Sequence, residues 1–427
     1  MVRQTATHGI TRRHFLKATA ATATGAWAFS IVPSTIFGAT APSERVSIGM
    51  IGVGNMGSSN LKGFMGNPGF QVVAVCDVDR FYRDSAIKAA KLTDKDGYND
   101  FRELLAHKDV DAVCVSTPDH WHAIPTIAAA KAGKDIYCEK PLSLTIAEGR
   151  AMVAAAKRYG RVLQTGSMQR SDARFLQACE LVRNGHIGDV KQVFVDIPGN
   201  NKDNPLDWKE EPVPDGFDYN FWMGQAPQAP YTKMRCHYTF RFILDYSGGQ
   251  MTNWGAHYLD IAQWGLGTDD TGPVKIKGKG EFPKAGLFTT ALKADITYTY
   301  ANGAQLILHQ EKGGNTKFVG TKGSVSVNRD RIETDPVSLA EYKTSPDEIH
   351  LIRSVDHKKN FLECIKNRQN PICHAEVGHR SASLCHLGNV SMLLNHELNW
   401  DPVKEKFVND PEADAMISRN MRAPWTL

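Results

Sequence analysis

The sequence predicts an α/β protein in two parts: a doubly wound parallel sheet near the N-terminus, then an α+β domain built on a large, mostly antiparallel sheet. Three observations predict it. The apolar run Val46 to Ile51 leads straight into Gly52-Val53-Gly54-Asn55-Met56-Gly57, the pattern of a buried parallel strand delivered into a glycine turn. Short apolar runs and capped helical stretches then alternate as far as Thr165, the rhythm of βα units. Beyond Gly166 that rhythm gives way to alternating strands, a hairpin turn and late amphipathic helices.

In order, the glycine spacing is that of a dinucleotide fingerprint: a tight turn, a close approach of backbone to pyrophosphate, then close helix-to-strand packing. The phosphates would rest on unpaired N–H groups at the next helix's start. A second run, Gln71 to Cys76, ends in Asp77, roughly 20 residues downstream, where a carboxylate takes the ribose hydroxyls. That carboxylate repels a 2′-phosphate, so NAD is expected and NADP is less favoured, although Arg80 is close by. Asn99-Asp100 caps a helix with Glu103 reaching back, and Ala112 to Ser116 is the next strand, with Thr117-Pro118-Asp119-His120-Trp121-His122 as its loop. Asp135 to Cys138 runs into Glu139-Lys140-Pro141. Thr145 and Glu148 make a capping box, Gly160 closes that helix, and Val162 to Thr165 completes the sheet.

In the second part, Arg174 to Asn184 is a helix stopped by Gly185, and Val190 to Ile197 alternates like a half-buried strand. Residues 198 to 236, rich in Pro, Asn, Asp and aromatics, read as a long functional loop. Gln250 to Trp264 has helical spacing; Ala294 to Tyr300 and Ala304 to His309 flank Asn302-Gly303 as a hairpin with a two-residue turn. Val319 to Val327 adds strand, and His357 to Lys366 and His379 to Leu394 are helices.

The 50 basic and 46 acidic side chains of the 427 residues leave a net charge of only +4, without a clustered basic face, so nucleic acid is not an expected partner. None of the eight cysteines falls in a CxxC pair; Cys76, Cys114 and Cys138 read as buried packing thiols, and no metal site is expected. Thr11-Arg12-Arg13-His14-Phe15-Leu16-Lys17, a weakly apolar Ala- and Thr-rich stretch, and Ala39-Thr40-Ala41 read as a twin-arginine export signal. The expected organisation is thus a signal over 1–41, a dinucleotide-binding domain over 42–165, and an α+β domain over 166–427 whose late helices pack back on the first. Such a chain is expected to meet the twin-arginine export machinery and to work in the periplasm or outside the cell.

In a doubly wound sheet, ligands bind outside the carboxyl ends of the strands, which nominates the loops at Thr117 to His122, Glu139 to Pro141 and Gln164 to Arg170. Lys140 would lie beside a cationic nicotinamide, which lowers its pKa and suits it to proton exchange with a hydroxyl; the alternative is a surface lysine paired with Glu139. Trp121 offers an aromatic face to a sugar ring, with His120 and His122 flooring the same pocket. Arg170, His237, Tyr238 and Arg241 can bind hydroxyls or a carboxylate, or pack a subunit contact.

Together the glycine fingerprint, Cys76-Asp77-Val78-Asp79, Thr117-Pro118 with His122, Glu139-Lys140-Pro141 and Gly320-Thr321-Lys322-Gly323 resemble the family of glucose–fructose oxidoreductase, inositol dehydrogenase and MocA-like proteins (Gfo/Idh/MocA). The resemblance covers essentially all of the chain after the leader. It implies a Rossmann domain and an NAD(P)-dependent dehydrogenase acting on CH–OH groups of sugars, glycosides or cyclitols, with residues 166–427 as the substrate-binding and oligomerisation domain of a homo-oligomer, dimer or tetramer. Cofactor contacts are then expected from Gly52, Gly54, Asn55, Met56, Gly57, Asp77, Ser116, Thr117, Pro118, His122, Glu139 and Lys140. Substrate contacts are expected from Trp121, Arg170, Tyr238, Asn253 and His257. The family usually carries an aspartate and, four residues later, a histidine facing the nicotinamide. Here these are Asn253 and His257, on one face if helical. His257 is the expected general acid/base; Asn253, an amide, can hold a hydroxyl but not take its proton. Asp260 would orient that histidine or bind solvent. Export implies a cofactor carried and kept. That leaves net redox between two substrates, or transient oxidation that assists elimination, glycoside cleavage or epimerisation, or a carbohydrate-binding protein with a structural nucleotide.

Overall fold

A computed structural model describes residues 44–311 and 313–427; the expected export signal lies outside them. The first sheet has six parallel strands, β1 (Val46–Ile51), β2 (Phe70–Cys76), β3 (Gly97–Tyr98), β4 (Ala112–Val115), β5 (Asp135–Cys138) and β6 (Leu163–Thr165). Their spatial order is β3-β2-β1-β4-β5-β6. Between them run α1 (Asn55–Met65), α2 (Arg80–Ala90), α3 (Phe101–Ala106), α4 (Ala123–Lys131) and α5 (Ile146–Arg158). The order reverses between β1 and β4, so their carboxyl ends open a crevice, the place where such sheets bind ligands. Strand interiors such as Ala112 to Val115 are wholly buried, as strands covered on both faces must be.

Local signals set the helix ends. Thr145 and Glu148 form the reciprocal capping box on α5. At α3, Asp100 caps the Arg102 N–H, but no bond returns from Glu103, which corrects the expected box.

The second sheet has nine strands: β7 (Val190–Pro198), β8 (Lys275–Glu281), β9 (Lys293–Thr299), β10 (Gln305–Glu311), β11 (Asn315–Gly320), β12 (Ser324–Val327), β13 (Ile332–Asp335), β14 (Leu398–Asp401) and β15 (Lys406–Phe407). Their order is β13-β12-β11-β7-β10-β9-β8-β14-β15, antiparallel except for the pair β7 and β10. β8 is legible in sequence only with difficulty, because its inward positions are Ile276, Gly278 and Gly280. A Cβ at Gly278 would stand 3.1 Å from the Met392 side chain, so glycine lets a helix approach the sheet. The β9–β10 turn has three residues, not the expected two: Tyr300 donates to the Ala304 carbonyl across Ala301, Asn302 and Gly303, with Gly303 at φ 84°. That is the three-residue hairpin whose last residue requires a left-handed backbone.

Covering that sheet are α6 (Ala173–Arg183), then, after a short α7 (Tyr219–Met223), α8 (Ala256–Leu266). The late helices are α9 (His357–Asn367) and α10 (Ala375–Leu394). Phe361 and Cys364 of α9 join the core under β1 and β2, and Thr165 at the end of β6 donates to the Cys373 carbonyl just before α10. No described helix is long and apolar enough to cross a membrane. All eight cysteines are buried and free.

Candidate active site

The crevice opens into a cleft that runs from Asp77 and Asp79 to Lys140 and Asn253. Its floor is the glycine turn. Gly52 has φ +80°, and a Cβ there would meet the Ser116 carbonyl carbon at 2.8 Å; one on Gly57 would meet the Gly52 oxygen at 2.1 Å. Both must be glycine for packing reasons. At Gly54 the nearest atom is a Tyr82 ring carbon at 3.8 Å, so there the backbone is open to the cleft. Gly54 begins α1 without a side-chain cap, leaving first-turn N–H groups for a phosphate. Asp77 Oδ2 accepts from Val53 N and Oδ1 from Asp79 N, both at 2.9 Å. Burial pushes its carboxyl up to about 6. These residues fit a dinucleotide.

Asn55, Met56, Ser116, Thr117, Pro118, His122 and Glu139 all line the cleft. His122 ties two of its loops together, with Nδ1 2.6 Å from the Pro141 oxygen and Nε2 2.9 Å from the Thr117 oxygen. Glu139 is buried and accepts from Asn60 Nδ2 at 2.9 Å, so it does not draw Lys140 to the surface. Instead Lys140 Nζ donates to the backbone oxygen of Asn253 at 3.0 Å and to its Oδ1 at 3.2 Å. Burial lowers the Lys140 pKa, and Arg241 and Arg329 push the same way against Glu139 and Asp119.

Asn253 stands in a π-helical turn, Met251–Gly255, that runs into α8. His257 is buried at 6% exposure, with Nδ1 unpartnered; burial, then the charges of Lys140 and Arg329, hold its pKa well below the usual range. It is therefore a neutral imidazole beside Lys140's field, while Asn253 is the member of the pair that lines the cleft.

Other expected substrate contacts need correction. Arg170 is in the interior at 1% side-chain exposure, paired with Asp260 at 2.8 Å and Asp269 at 2.7 Å. Asp260 in turn accepts from Ser381, so it neither orients His257 nor meets solvent. Trp121 gives its N–H to the Trp222 oxygen at 2.8 Å and packs edge-on against Phe101, Phe221 and Trp425; only 5% exposed, it is held in an aromatic cluster whose margin still lines the cleft. His120 is fully buried and also reaches Trp222 O. Tyr238 lies behind the wall, under the Arg241 guanidinium at 4.1 Å.

Sequence reasoning marked residues 198–236 as a functional loop but did not show that the segment roofs the cleft. Asp79 bridges Phe217 in antiparallel fashion, Arg80 N donates to Gly216 O and Asp218 N to Val78 O, both at 2.9 Å. The long 199–246 segment thus crosses the end of β2 and closes the cleft with Phe217, Phe221 and His237. Asp119 was also missed: buried, it accepts from Ser247 Oγ at 2.6 Å, linking the β4 loop to the Asn253 turn. Asn60 carried a signal, a polar residue on the buried face of α1 beside Leu61 and Phe64.

Profiles of one oxidoreductase family match two stretches of the chain: its NAD-binding Rossmann fold over residues 46–167 and its C-terminal alpha/beta domain over residues 203–427. The uncharacterized oxidoreductase YrbE of Bacillus subtilis is 26% identical over 82% of this chain and 95% of its own length. An alpha-N-acetylgalactosaminidase of Shewanella oneidensis is 33% identical over 43% of this chain and 45% of its own length. The aldose-aldose oxidoreductase of Caulobacter crescentus shares the fold, with a TM-score of 0.63 at 18% identity over 83% of this chain and 99% of that one.

Proposed function

Because the chain belongs to the Gfo/Idh/MocA oxidoreductase family and carries its NAD-binding Rossmann domain, we propose that it oxidises a secondary hydroxyl of a sugar, glycoside or cyclitol with a tightly held NAD. The observation that carries this reading is the junction of Lys140 with Asn253 in the same cleft as the glycine turn and Asp77. NAD, when bound, supplies the hydride acceptor.

The chain's own residues do the rest. Asp77 accepts the ribose hydroxyls, and the open N–H groups after Gly54 take the phosphates. Asn253 Oδ1 holds Lys140 Nζ, one hydrogen of its amide nitrogen goes to Gln250 Oε1 at 2.9 Å, and the second is left to fix the substrate hydroxyl. Lys140, whose amine is easier to deprotonate than an ordinary lysine, takes the proton from the O–H. His257, held neutral by burial and by the charges of Lys140 and Arg329, adds no further positive charge beside the amine. The 217 to 218 roof, hydrogen-bonded across the end of β2, slows release of the cofactor. With the Thr11 to Lys17 motif, this supports a twin-arginine exported protein that carries its NAD to the periplasm.

A second reading, transient oxidation during cleavage of a glycoside, is favoured by the similarity to the Shewanella alpha-N-acetylgalactosaminidase. One experiment separates the two. The purified full chain is analysed by mass for bound dinucleotide, then mixed with a panel of sugars and aryl glycosides while reduced-nicotinamide absorbance is followed. Net oxidation leaves a stable reduced signal and a ketone product. Transient oxidation gives a passing signal and glycoside cleavage. No reduction with any compound sinks the oxidoreductase reading.

A further inference from the structure

We infer that the substrate carries a carboxylate, and that Arg241, at the Lys140 end of the cleft, is the residue that holds it. This rests on reading the cleft as a sugar-oxidising site. Arg241 lines the cleft with Lys140, Ser247 and Asn253. Its guanidinium is stacked 4.1 Å over the Tyr238 ring, and that ring is fixed by Asn201 Nδ2, which donates to its Oη at 2.6 Å. The head group is therefore placed before any ligand arrives.

What it lacks is a counter-charge. Arg170 meets two carboxylates, and Arg150 meets Glu376 at 2.6 Å and Glu405 at 2.7 Å. Arg241 makes no ion pair among the described residues, and its Nε is buried without any partner. An unanswered buried donor is costly. The nearby acids are engaged elsewhere, Asp119 with Ser247 Oγ and Glu139 with Asn60. Meanwhile positive charge accumulates: Lys202 lies 5.9 Å from the Tyr238 ring, and Arg329, stacked 4.8 Å over Trp254, reaches only the Gln169 amide oxygen at 3.4 Å.

A neutral sugar leaves this field uncompensated. A carboxylate answers it, because its planar pair of oxygens matches the guanidinium fork. It also offsets the mutual repulsion of Arg241, Arg329 and Lys140.

The test uses the full chain with NAD and a panel of hexuronic and aldonic acids, each beside its uncharged amide, with hexose phosphates as a third arm. Both kcat/KM and ligand-induced shifts in melting temperature are read for the wild type, Arg241→Gln and Arg241→Lys. Expected is a preference for at least one acid over its amide of about ten- to hundredfold. That preference should collapse in Arg241→Gln and survive in part in Arg241→Lys, while NAD affinity by fluorescence is retained. Equal use of acid and amide, a better response to phosphates, or an Arg241→Gln variant that loses NAD rather than the acid overturns the inference. Turnover of neutral sugars alone overturns it while the oxidoreductase reading stands. If nothing is turned over, that reading falls, and the melting shift decides: an acid-selective shift lost in Arg241→Gln supports the inference, and its absence overturns it.

Discussion

Lys140 Nζ is bonded to both oxygens of Asn253, 3.0 Å from the backbone carbonyl and 3.2 Å from the side-chain amide oxygen. The two residues come from different domains, one from the end of β5 and one from the turn before α8. The bond makes the amine a group shared by the cofactor sheet and the substrate wall. Because both acceptors are neutral, the lysine gains hydrogen bonds without a counter-ion, and burial lowers its pKa.

Removing that amine tests its role most directly. Lys140→Met is expected to cut kcat for oxidation by about 10² to 10⁴, the span of general acid–base catalysis, while NAD remains bound. In the wild type the active form is the neutral amine, so oxidation should rise with pH through a value below that of an ordinary lysine. Steady-state rates across pH show whether this rise is absent from the variant.

Asn253→Asp puts a carboxylate 3.2 Å from Nζ. A negative neighbour favours the ammonium form, so the rise in activity should move to higher pH by about one unit or more. A profile that moves down or stays still would contradict the assigned geometry.

Asp77 is expected to make NAD binding pH-sensitive. Its ionised form accepts ribose hydroxyls, and its pKa is raised to about 6 by burial; protonation as pH falls through that region should weaken binding. Asp77→Asn should bind NAD less well at neutral pH and lose most of the dependence. Fluorescence titration with NAD on either side of pH 6 reads both. For stability the sign is opposite: a raised acid pKa means that the folded state takes up the proton more readily. The destabilisation from burying this charge grows from the unfolded value near 3.8 to about 6 and persists above it.

Arg170→Met should be structural in effect. It strands Asp260, which is fully buried, without its cation, and breaking a buried pair costs about 3–5 kcal/mol. Denaturant melts should show that loss, whereas KM for substrate should change little in protein that remains folded at low temperature.

The sequence by itself determined the features whose cause is local. The glycine turn is forced by close approaches at Gly52 and Gly57, the α5 capping box by Thr145 and Glu148, and the βα rhythm by runs that bury both faces of a strand. Asp77 was legible because its distance from the turn follows from one βα unit. Tertiary structure alone decided where the later chain returns. A pattern of apolar and polar residues gives the face a side chain takes but not the partner it meets. Thus Arg170, which could equally bind a ligand, went to Asp260 and Asp269; Trp121 went into an aromatic core; and the 199–246 segment crossed to roof the cleft. Arg241 came to rest there without a carboxylate because no acid of the described chain is folded against it, a fact that exists only once long-range contacts are made.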